Sequence, residues 1–72
     1  MKSLSPRELQ IVALLANGIS TKQVVFQLKI SRRTVMNYLS SARKKLLAET
    51  REHMIAIAVS RGMIVVDKIE SE

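Results

Sequence analysis

The chain has 72 residues, 12 of them basic and 6 acidic, and a net charge of +6. That describes one small domain with a strong cationic bias and no room for a second. Cysteine is absent, which excludes disulfide staples and cysteine-ligated zinc and fits the reducing cytoplasm; no apolar run approaches the roughly 18 residues needed to cross a bilayer, so no membrane partner is expected.

Ser5-Pro6-Arg7-Glu8 carries three helix-start signals at once: Ser as N-cap, Pro at the first helical position, and Glu three residues after the cap. With Leu4 as hydrophobic staple, with Ile11, Val12, Leu14 and Leu15 as apolar surface, and with Asn17-Gly18 as the stop, a first helix is predicted over residues 6–17. Ser20-Thr21-Lys22-Gln23 repeats the capping logic, and Val24, Val25 and Leu28 share one side of a short second helix over 21–28. Only Lys29 and Ile30 separate it from Ser31, again a good N-cap, which is the spacing of a helix-turn-helix.

The third helix, over 32–47, has Val35, Leu39, Ala42 and Leu46 as its buried stripe with Tyr38 at the edge. Arg33, Asn37, Ser40, Ser41 and Lys44 fall on the opposite face. A fourth helix is expected over 50–62, apolar on nearly every side. Its Ile55, Ala58, Gly62 stripe is assigned to the core, and its Met54, Ile57, Arg61 stripe to a partner chain. Phe26 is assigned to the core or its edge. The domain spans 1–66, and 67–72 forms a frayed tail. A core of this size is marginal on its own, so an oligomer contact is expected.

Between Glu8 and Glu49 there is no acidic side chain, while Lys22, Lys29, Arg32, Arg33, Arg43, Lys44 and Lys45 all fall in that interval. Such a distribution points to a polyanion. The scarcity of aromatics, Phe26 and Tyr38 alone, argues against single-stranded nucleic acid, which is held by stacking.

The segments Leu4-Ser5-Pro6-Arg7-Glu8, Asn17-Gly18-Ile19-Ser20, Leu28-x-Ile30-Ser31, Thr34-Val35, Lys45-Leu46 and Arg61-Gly62-Met63-Ile64 occur in an order that resembles the LuxR/FixJ-type, GerE-like helix-turn-helix domain, without a gap from Leu4 to Ile64. The resemblance implies an all-α, four-helix DNA-binding domain, with the third helix in the major groove and homodimerisation through the fourth. It also implies a stand-alone member, since no sensory domain precedes these segments. The sequence departs from the family's pattern at Met36, where a DNA-contacting Lys is common, at Tyr38, where His is usual, at Leu47, where Gly is customary, and at Val25, where Ala is common. Arg32 and Arg33 restore cationic charge at the start of the third helix.

On these helices the charges acquire roles. Arg33 and Asn37, one turn apart, are placed to read guanine and adenine edges, and Met36 to pack against a thymine methyl. Thr21, Lys22, Lys29, Arg32, Ser40, Lys44 and Lys45 are the expected phosphate contacts. Arg7 and Arg51 are expected to pair within the fold, with Glu8, Glu49 or Glu52. His53 is the single histidine, so no metal centre, cofactor site or catalytic constellation is assembled and no enzyme is expected. The function expected is that of a transcriptional regulator binding an imperfect palindrome in double-stranded DNA, with RNA polymerase or another LuxR-type regulator as protein partner. The competing reading is a small module that heterodimerises with a full-length relative and inhibits it.

Overall fold

The computed structural model describes residues 3–66; the tail expected over 67–72 lies outside them. The described residues form four helices in the order α1 (Pro6–Ala16), α2 (Thr21–Leu28), α3 (Arg32–Lys45) and α4 (Arg51–Ser60), with no strand among them. The first two helices open on complete capping boxes. Ser5 Oγ accepts from the Glu8 N–H while the Glu8 carboxylate accepts from the Ser5 N–H, and Ser20 and Gln23 repeat the exchange. Ser31 and Thr50 cap α3 and α4 through one such bond each.

Helices α1, α3 and α4 all stop in the same way. The residue after the cap turns left-handed and the chain makes two reverse backbone bonds: Gly18 to Leu15 and Ile19 to Leu14, Leu47 to Lys44 and Ala48 to Arg43, Gly62 to Val59 and Met63 to Ala58. Two of these turns use glycine; the third uses Leu47 at φ 57°. That turn ends α3 two residues before the sequence-based limit, and the Gly62 turn likewise shortens α4.

The core lies where the four helices meet. Ile11, Val12, Val24, Val35, Leu39, Ala42, Leu46, Met54 and Ala58 fill it, closed at its ends by Leu4, Ala48 and Ile64. Each large aliphatic buried there contributes roughly 1.5–3 kcal/mol. Helices α1 and α3 each touch all three others. The expected stripe of α3 is buried in full, which orients the opposite side of that helix to solvent. In α4 the expectation fails. Met54, assigned to a partner, is 1% exposed and belongs to the core, whereas Ile55 is only half-buried and Gly62 is exposed. An all-round apolar helix gives no period from which to choose its inner face.

One charge sits inside. Glu8 is 3% exposed and pairs with Lys45, Nζ to Oε1 3.0 Å. Burial by itself pushes the Glu8 carboxyl up, but the Ser41 hydroxyl, the Ser5 N–H and the Lys45 ammonium outweigh it and hold the group at about 2, below its ordinary 4.5. The pair ties the start of α1 to the last turn of α3, so the fold fixes the angle at which α3 is presented.

Candidate nucleic-acid interface

The outer surface of α3 carries Arg32, Arg33, Met36, Asn37 and Lys44, all exposed, with Ser40 and Ser41 half-buried beside them. Arg33, Asn37 and Lys44 lie on one line because they recur at four and seven residues, a little over one and just under two turns. No carboxylate lies on α2 or α3. Asn37, Ser40, Ser41 and Lys44 border an open groove whose far side is Leu47 and Arg61. Met36 is 47% exposed, and a second groove joins it with Ser40, Arg43, Thr50 and Arg51 at the start of α4. The turn that sets α2 against α3 pivots on Lys29, whose backbone is left-handed at φ 57°.

The candidate phosphate contacts do not behave alike. Lys22 and Lys29 are exposed on and after α2, Arg32 and Lys44 on α3. Lys45 is turned away: its ammonium is committed to the buried Glu8. The signal for this was available in sequence, since a buried carboxylate in the first turn of α1 must find a cation somewhere. Arg43 is likewise engaged, donating to the Ala48 carbonyl at 3.3 Å in the α3–α4 turn.

Arg51 is the residue that sequence reasoning misplaced. It does not pair with Glu8, Glu49 or Glu52; its Nη2 donates to Thr21 Oγ1 at 2.6 Å. A second cation thereby stands beside Lys22 at the N-terminal end of α2, where free N–H groups already favour an anion. No sequence period links the first residues of α2 and α4, because the fold alone brings them together. Arg7 donates instead to Gln10. His53 accepts the Glu49 backbone N–H on Nδ1 and so belongs to the α4 entry. Phe26, assigned to the core, is 84% exposed on the outer side of α2.

On the side of α4 away from the core, Glu52, His53, Ala56, Val59 and Ser60 are exposed. Of the stripe expected to meet a partner, Met54 is internal, Ile57 is half-buried and packed on the core, and Arg61 lines the groove beside α3.

A short helix pair joined by a tight turn, with the second helix showing an acid-free cationic face, defines a helix-turn-helix DNA-binding domain. Residues 2–58 match the model of the luxR family of bacterial regulatory proteins, and the chain belongs to that family. It is similar to the transcriptional activator protein RaiR of Rhizobium etli, 47% identical over 53 residues, covering 72% of this chain and 22% of that protein. The structure of the transcription factor GerE superposes with a TM-score of 0.85 at 37% identity, covering 92% of this chain and 100% of that one. The Vibrio cholerae VqmA–ligand–DNA complex matches with a TM-score of 0.80 at 29% identity, over 86% of this chain and 27% of VqmA. The chain spans about a third or less of the length of the curated relatives it matches.

Proposed function

We propose that this domain reads an imperfect palindrome in double-stranded DNA as a homodimer, with α3 in the major groove of each half-site. The observation that carries the reading is the α3 surface itself: Arg33, Asn37 and Lys44 in one exposed line, with no acidic side chain on α2 or α3 to repel phosphate. Arg33 supplies a bidentate donor for guanine, Asn37 a paired donor and acceptor for adenine, and Met36 an apolar contact for a thymine methyl. Lys22, Lys29, Arg32, Ser40 and Lys44 anchor the flanking phosphates, and Arg51 joins Thr21 at the start of α2 as a further anchor. RaiR is an activator by name, and we extend that direction to this chain.

The dimer contact is assigned to the outward side of α4. Val59, 42% exposed, and Ala56 give it an apolar centre, with Glu52, His53 and Ser60 as its polar rim. This replaces the stripe built on Met54, whose side chain the core already uses.

Selection of bound sequences from a random duplex library, followed by fluorescence anisotropy on the winning site, tests the reading. Arg33→Ala and Asn37→Ala are each expected to cost about 1–3 kcal/mol at their own base pair while weakening binding to unrelated duplex far less. Equal losses on selected and unrelated duplex would assign both residues to the phosphate backbone and sink the reading of α3.

A further inference from the structure

The outer side of α2 has a composition that DNA reading does not use. Phe26 lies two residues from Val24, about 200° around the helix, so the fully buried Val24 and the 84%-exposed Phe26 point in opposite directions. It is flanked by exposed Lys22 one turn before and exposed Lys29 three residues after, with Gln23 and Gln27 on the other side. Among the described residues the carboxylates are Glu8, Glu49 and Glu52, none of them on α2. A duplex keeps its base faces stacked inside, so an aromatic side chain held against one has nothing to stack on.

Lys29 supplies an independent observation. Its φ of 57° lies where glycine is at ease and an L side chain is strained. Gly18 and Gly62 fill the corresponding places at the ends of α1 and α4. A lysine at this turn sets a cation beside Phe26 against the backbone's own preference. An aromatic centre with a cationic and amide rim has the composition of a protein-binding hot spot.

We infer that Phe26, Lys22 and Lys29 form a docking surface for RNA polymerase, engaged while the domain sits on DNA, and that its counterpart is an apolar pocket edged by carboxylates. Charge complementarity selects that chemistry: a basic or neutral counterpart would meet the two lysines without compensation. The inference rests on the DNA-binding reading above for its geometry.

RNA polymerase holoenzyme is titrated onto a labelled operator duplex already saturated with wild-type, Phe26→Ala or Lys29→Gly protein. Phe26→Ala is expected to weaken polymerase binding at least tenfold, the usual scale for losing an aromatic anchor, with operator affinity within about twofold of wild type. Lys29→Gly is expected to weaken polymerase binding while raising Tm, because it removes backbone strain together with the charge; a purely structural role for Lys29 would move only Tm. The inference is overturned if polymerase binds Phe26→Ala and wild-type complexes equally, if it does not bind the wild-type complex, or if Phe26→Ala loses operator affinity instead. Should the wild-type chain select no DNA sequence, the same titration on the free domain decides the surface separately: loss in Phe26→Ala upholds it and equality overturns it.

Discussion

Replacing Glu8 by Gln tests how much of the fold's rigidity rests on one internal charge. The carboxyl is held at about 2 against an ordinary 4.5. That difference, at ~1.4 kcal/mol per pH unit, makes the charged form worth about 3 kcal/mol to the folded state at pH 7. A folded value below the unfolded one means the contribution is complete above pH 4.5 and disappears as pH falls toward 2. It is worth about 1.4 kcal/mol at pH 3 and about 0.4 kcal/mol at pH 2. Glutamine keeps the shape and an acceptor for the Ser5 N–H but leaves Lys45 without its partner, a quarter exposed and able to draw water. Urea unfolding of both proteins should therefore differ by about 2–3 kcal/mol at pH 7, a midpoint shift of about 2 M for a domain of this size. The gap should narrow to under ~1.5 kcal/mol at pH 3. General acid destabilisation of a chain of charge +6 acts on both proteins and cancels in the difference. A gap that stays flat from pH 7 to pH 3, or one below ~1 kcal/mol at pH 7, would refute the account of Glu8 as a charged internal anchor.

Two further expectations concern surfaces. Val59→Lys should lower the sedimentation mass toward the monomer with little change in Tm, whereas Met54→Ala should cost about 2–5 kcal/mol of stability as a core deletion; a lost dimer in Met54→Ala at full stability would return the interface to the stripe read from sequence. Lys44→Met should reduce the slope of log K against log salt by about 0.9, while Lys45→Met should leave that slope unchanged and lower stability; equal slope changes would show that both ammonium groups reach phosphate.

Helix order, the three serine caps and the buried stripe of α3 were legible because each is a local matter: a side chain capping its own turn, or a period of 3.6 on one helix. The exposed line Arg33, Asn37, Lys44 followed from the same period. What escaped the sequence required contacts between elements. Helix α4 carries apolar residues all round, so only its docking against α1 and α3 selects Met54 and Ala58 as the inner side and leaves Ala56 and Val59 outside. Phe26 was given to the core because large aromatics are usually covered, yet α2 is so short that Val24, with Val25 and Leu28 half-buried at its sides, completes its inner face. The Arg51–Thr21 bond joins residues 30 apart, and nothing in either segment announces the other.

The acid-free interval, counted as charge, holds seven cations and suggests seven phosphate contacts, a salt slope near −6 per protomer. The structure divides them by use. Lys45 neutralises Glu8 and Arg43 holds the α3–α4 turn through Ala48, which leaves five exposed and a slope no steeper than about −4.5 from the interval, with Arg51 entering from outside it. Losing two cations to the interior strengthens the functional argument. A cation spent on Glu8 fixes where α3 points, and a reading helix discriminates bases only if its direction is set before DNA arrives. Net charge draws the domain to nucleic acid; the cations turned inward make the encounter capable of sequence.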